Sequence, residues 1–184
     1  GLNDFDNYTM AARIMGLATN LGGQTNLAAG LLEAEKMLTP RRQGNVRNPI
    51  IIVISDWDPY NFTVRSDAIS IARRLESQYG ATIVTVGVLG SVDQRFLNEV
   101  ATQGRFGPRN VMSEDHQSLL MHITPFINVA CETGPSGGGS CERDVVFALD
   151  ASYSLSQDQN FDRLKEFVIQ VAGNIYNTAR DTRM

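Results

Sequence analysis

Val145-Val-Phe-Ala-Leu149 is apolar at every position. A run without alternation fits a central strand of a parallel sheet, covered on both faces, better than a half-exposed strand. Ile50 to Ile54 is a second run, β-branched throughout and set off by Pro49, and Ala81 to Val88 reads as a third strand. Helical patterns fall between and around them. Met10, Ile14, Leu17 and Leu21 recur at helical spacing up to the stop at Gly22-Gly23, and Thr25 or Asn26 can cap a helix from Leu27 to Leu38. A helix through Ala68 to Leu75 closes at Gly80. It is followed by a helix around Phe96 to Val100, a short strand near Arg109 to Met112, and a helix over 114–129. The last helix carries Phe161, Leu164, Phe167, Val168, Val171 and Ile175 on one face. Strands alternating with helices at this spacing predict an α/β fold, an open and mainly parallel sheet flanked by helices.

The 184 residues suffice for one well-buried core. A net charge of −4, with basic residues scattered, gives no basis for nucleic acid or an anionic membrane surface as partner. No apolar stretch approaches the ~20 residues of a membrane span, and Gly1-Leu-Asn-Asp lacks the features of a signal peptide, so the chain reads as a mature product or an excised piece. Cys131 and Cys141 flank a Gly- and Ser-rich segment, 132–142, which is the natural linker; their spacing permits a disulfide. Asn7-Tyr-Thr9 and Asn61-Phe-Thr63 are glycosylation acceptors in a secreted chain. Together these signals favour an oxidising, extracellular and secreted setting.

Directly after the Val145–Leu149 run comes Asp150-Ala-Ser152-Tyr-Ser154, one carboxylate and two hydroxyls at the mouth of a strand. Oxygen donors without thiolate or imidazole favour Mg²⁺, Ca²⁺ or Mn²⁺ over zinc. The same string also serves as a turn and helix cap, and alone does not separate the two uses. Two further segments share its character: the glycine-rich Gly22-Gly-Gln-Thr25-Asn-Leu, and Ile50-Ile-Ile-Val-Ile-Ser-Asp56, a strand ending in an aspartate.

These three segments resemble the metal-ion-dependent adhesion site of von Willebrand factor type A domains: its DxSxS motif, its threonine loop and its strand-end aspartate. The resemblance covers nearly the whole chain in permuted order. Residues 1–131 resemble the later part of one such domain, and residues 143–184 the N-terminal strand and helix of another, joined through the linker 132–142 as a permuted or tandem fragment. It implies a Rossmann-like sheet in which the strand before Asp150 lies beside the strand before Asp56, at the switch point where ligands of open α/β sheets collect. It also implies the metal ligands. Ser152, Ser154 and Thr25 would touch the ion through their hydroxyls, and Asp150 and Asp56 would hold it directly or through water. Mg²⁺ is the foremost expectation, with Ca²⁺ or Mn²⁺ as alternatives, and a protein partner's Asp or Glu would complete the coordination.

The family commonly has glycine after its strand-end aspartate, whereas this chain has Trp57-Asp58-Pro59, which makes Trp57 and Asp58 candidates for facing the partner. The family's second and third strands have no counterpart here, so the 144–149 strand would be left with an exposed apolar edge. Three arrangements remain open: the site residues meet within one chain, between swapped chains, or belong to neighbouring domains. The function implied is a non-enzymatic adhesion or matrix module. The alternative is a structural assembly protein in which tandem or swapped domains polymerise and the metal motif is vestigial or stabilising.

Other chemistry is sparse. His116 and His122 are six apart, off the spacing that shares a helix face. No Gly-x-Ser-x-Gly elbow, GxGxxG or phosphate loop is present. Met10, Met15 and Met37 are expected in the core.

Overall fold

The computed structural model describes residues 7–18, 23–38, 49–56, 62–88, 92–104, 107–108, 110–113, 144–156 and 159–181. The expected helix over 114–129 with His116 and His122, the linker 132–142 with Cys131 and Cys141, and Trp57, Asp58 and Asn61 lie outside these residues.

Four strands form one parallel sheet: β1 (Ile50–Ser55), β2 (Thr82–Val88), β5 (Asn110–Ser113) and β6 (Val145–Leu149), in the order β5-β2-β1-β6. A separate antiparallel pair joins β3 (Gln103–Gly104) to β4 (Gly107–Pro108). The helices are α1 (Asn7–Met15), α2 (Leu27–Leu38), α3 (Phe62–Tyr79), α4 (Gln94–Val100), the short α5 (Tyr153–Ser156) and α6 (Asn160–Asp181). This is the open, helix-flanked parallel sheet that the alternation of runs predicts. Although β6 comes last among the strands, it pairs within the chain with the first, β1.

Strand side chains alternate between faces, and β1 shows the result. Ile51 and Val53 pack with Leu31 of α2, Leu75 of α3 and Leu97 of α4, whereas Ile50, Ile52 and Ile54 pack with Phe167, Val168 and Val171 of α6. Both faces are covered, so the central strand must be apolar throughout. Gly87 sits where β2 passes under Val92 and Leu97; a Cβ there would lie 2.8 Å from a Val92 methyl.

β6 packs on both faces, Val145, Phe147 and Leu149 against the α6 cluster and Val146 and Ala148 against that of α2 and α3, but less deeply than β1. Each of its five residues is half-buried, because it is an edge strand with a neighbour on one side among the described residues. Helix α1 stops at Met15 rather than Leu21, its last turn closing through Gly16 N–H to Ala12 O at 3.0 Å and Leu17 N–H to Ile14 O at 3.1 Å. Met15 and Met37, expected in the core, are 45% and 68% exposed. The inward stripe of α2 runs Leu27, Leu31, Ala34 and Leu38, leaving Met37 outside it.

Lys165 is buried on α6. Its ammonium donates to the carbonyls of Met15 at 3.2 Å and Leu17 at 3.4 Å and pairs with Asp162 at 2.8 Å. All three N–H donors are thereby used, two of them on carbonyls at and just beyond the last turn of α1.

Candidate functional site

The parallel register sets Ile54 beside Leu149, so Ser55, the last residue of β1, lies level with Asp150, the first residue beyond β6. The Asp150 N–H still donates to Ile54 O at 2.9 Å, and this holds the start of the loop against β1.

Three donors fix the Asp150 carboxylate. Ser55 Oγ donates to Oδ2 at 2.7 Å, Thr25 Oγ1 to the same oxygen at 3.2 Å, and the Ser152 N–H to Oδ1 at 2.8 Å. The last is an Asx turn, the local conformation that an Asp two residues ahead of a free N–H favours. Ser55 and Ser152 are buried, as is Asp56, the next residue after Ser55.

Thr25 is available to Asp150 because its neighbour does the capping. Asn26 Oδ1 accepts the Ala29 N–H at 3.0 Å, and Asn26 O accepts the Gly30 N–H at 3.2 Å, which starts α2. Gly23 adopts a φ of 145°, a conformation that side-chain-bearing residues rarely take. Its carbonyl accepts the Tyr153 N–H at 3.1 Å, tying the threonine loop to α5. Between this loop, the start of α2 and Asp150 to Ser152 lies a cavity of about 260 Å³.

Of the expected ligands, Thr25 and Asp150 are in direct contact and Ser152 is bonded to Asp150 through its backbone. Asp56 follows Ser55 at the same end of the sheet. Ser154 belongs to the backbone of α5, and Asn7 begins α1. Ser55 is the residue that sequence reasoning missed. Aligning the two apolar runs so that both end at the loop would have found it, since this places Ser55 opposite Asp150.

The donor set consists of oxygens, several of them neutral hydroxyls. Among the described residues no three of His, Cys, Asp or Glu gather in one place. Hydroxyls and one or two carboxylates suit a hard cation that retains part of its hydration.

A second polar cluster joins α3 to α4. Asp93 caps α4 by accepting the Phe96 N–H at 2.9 Å, and Arg65 bridges Asp93 at 2.7 Å and Glu99 at 3.1 Å while lying over the Phe96 ring. The Phe96 N–H, and after it Arg65, hold the Asp93 carboxyl below its ordinary range against the opposing effect of burial. Glu99 is lowered chiefly by its bond to Arg65.

Among the described residues no helix is long and apolar enough to cross a membrane. Comparison with curated proteins and with solved structures gave no match. A family model matches residues 1–124, and its description is von Willebrand factor type A domain.

Proposed function

The chain belongs to the von Willebrand factor type A domain family, and on that premise we propose that it is an extracellular adhesion or matrix module that binds a protein partner through a divalent cation held beside Asp150. Domains of this family serve generally as protein-interaction or adhesion modules. The observation that carries the finer reading is the convergence of Ser55, Thr25 and Ser152 on one carboxylate, from three separate stretches of chain.

The residues present fit a hard cation. Thr25, Ser152 and Ser154 would hold it through hydroxyls, Asp150 and Asp56 directly or through water, and Mg²⁺ suits this set best, with Ca²⁺ or Mn²⁺ as alternatives. Bound among largely neutral donors, such an ion supplies Lewis acidity toward an outside carboxylate, which a partner's Asp or Glu would provide. What this chain contributes is orientation. Ser55 and the Ser152 N–H fix the rotation of the Asp150 carboxylate, and the Gly23–Tyr153 bond sets the distance between the two loops. Trp57 and Asp58, next along the chain from Asp56, are the partner-facing candidates.

The reading is of a binding module rather than an enzyme, with residues 1–131 and 143–184 as the two parts of one unit around the linker 132–142. The extracellular setting rests on the Cys131–Cys141 pair and the acceptors Asn7 and Asn61.

Calorimetric titration of the metal-stripped chain with Mg²⁺ and with Mn²⁺ tests the site. One equivalent should bind, and Asp150→Ala should abolish binding while the far-UV spectrum stays unchanged. No heat at millimolar metal would overturn the proposal. The competing reading, assembly through tandem or swapped domains, predicts multimers that persist in EDTA.

A further inference from the structure

Among the described residues Lys165 is the only buried Lys or Arg. Its ammonium, which donates to Met15 O, Leu17 O and Asp162, also lies over the Phe161 ring at 5.6 Å. Taking such a charge out of water is costly, and an apolar side chain of the same length would fill the place without that cost. What an apolar side chain lacks is direction. The Lys165 N–H groups select two particular carbonyls, whereas apolar contact is non-directional and fixes no register.

The end of α1 depends on that selection. No residue from Ala11 to Ala18 is fully buried, and Ile14 packs only partly against the α6 cluster. Met15 and Leu17 are 45% and 46% exposed. The apolar hold on this end is weak, while the carbonyls that close a helix attract a cation.

Both helices joined by Lys165 lead to the candidate site. Past Leu17 the chain runs to Gly23 and Thr25; ahead of Lys165 it runs back through α5 to Ser152 and Asp150. The same two stretches are tied again by the Tyr153 N–H on Gly23 O and by Thr25 on Asp150. With the end of α1 held to α6, those ties close a short loop. Without Lys165 they close a longer one, at greater entropic cost.

Resting on the reading of Asp150 and its neighbours as a cation site, we infer that Lys165 is a positioning residue for that site. It acts through α1 and α6 rather than on the ion, setting where the threonine loop stands against the loop from Asp150 to Ser154. Its contribution is to metal affinity more than to stability.

Lys165→Met is the test, read first in EDTA by amide exchange. Exchange at Tyr153, whose N–H bonds to Gly23 O, should accelerate about tenfold, together with Gly16 and Leu17 in the last turn of α1. Asp150, whose N–H is held by Ile54 O of β1, should exchange as in the wild type, and the urea midpoint should change little. In calorimetry one equivalent of Mg²⁺ should still bind, about tenfold more weakly. Acceleration confined to Gly16 and Leu17 would make Lys165 a cap of α1 alone and overturn the inference. Equal acceleration at Asp150 overturns it as general destabilisation, and so does an Mg²⁺ affinity equal to that of the wild type. Should Lys165→Met fail to fold, native-state exchange of the wild type in low urea decides. Tyr153 should then open with Gly16 and Leu17 at one free energy, and separate openings refute the coupling. A wild type that takes no Mg²⁺ removes the cation reading, whereas the exchange in EDTA involves no ion, so the two failures are distinct.

Discussion

Ser55 and Thr25 donate to the same oxygen of Asp150, and this shared acceptor makes their contributions interdependent. Ser55→Ala removes a 2.7 Å bond from a fully buried hydroxyl. Hydrogen bonds to charged groups contribute ~1.5–3 kcal/mol, and the remaining Thr25 bond places the loss near the lower half of that range, about 2 kcal/mol. For a chain of this size that corresponds to a drop in Tm of about 4–8 °C. Thr25→Val is nearly isosteric and removes a longer bond, 3.2 Å, at a half-buried position, so about 0.5–1 kcal/mol is expected. Each single variant leaves Oδ2 one donor; the double variant leaves it none. The double loss should therefore exceed the total of the two single losses by about 0.5–1 kcal/mol, with water entering through the adjacent cavity setting the upper limit. Urea denaturation in EDTA, with unchanged m-values, measures all three. A double variant whose loss merely equals the two single losses added together would refute the shared-acceptor geometry, and so would a larger effect of Thr25→Val than of Ser55→Ala.

Three further expectations rest on other parts of the fold. Lys165→Met keeps the buried stem but removes the donor to the Met15 and Leu17 carbonyls; amide exchange in α1 should accelerate, while global stability changes little because a desolvated charge is also removed. Asp93 and Glu99 both have lowered pKa values, so their contribution is complete above the unfolded values and is lost as pH falls through the lower, folded ones. Urea midpoints should therefore decline below about pH 4.5, and less steeply in Arg65→Met. Gly87→Ala forces a Cβ to within 2.8 Å of Val92 and should destabilise by about 1–3 kcal/mol by calorimetry.

The layers of this fold were legible because a strand packed on two faces must be apolar throughout, and Ile50–Ile54 and Val145–Leu149 announce that requirement without any knowledge of their partners. The ends of elements were less so. Periodicity carries α1 on to Leu21, but the helix stops at Met15, to whose carbonyl Lys165, 150 residues away in sequence, donates. Local capping rules allow Thr25 or Asn26 to start α2. Asn26 does so, and Thr25 turns to Asp150 instead, a tertiary contact that no short-range rule contains. Ser55 escaped for a similar reason: a serine at a strand end is unremarkable until the register with β6 places a carboxylate beside it. Met15 and Met37 were misjudged because helical spacing reports that a stripe exists and not how wide it is.

The bond between Thr25 and Asp150 spans 125 residues of chain, and that between Ser55 and Asp150 spans 95. This separation has a kinetic consequence. Helices α2, α3 and α4 can settle on β1 and β2 while the rest of the chain is still being made, since their contacts are comparatively local. The Asp150 carboxylate follows these elements in the chain, and closing so long a loop before any bond repays it slows that step. The bonds of Ser55 and Thr25 to Asp150 therefore form after the packing of α2, α3 and α4 on β1 and β2. Under the proposed reading, a partner that engages Asp150 would select chains in which β1 and β6 have already met.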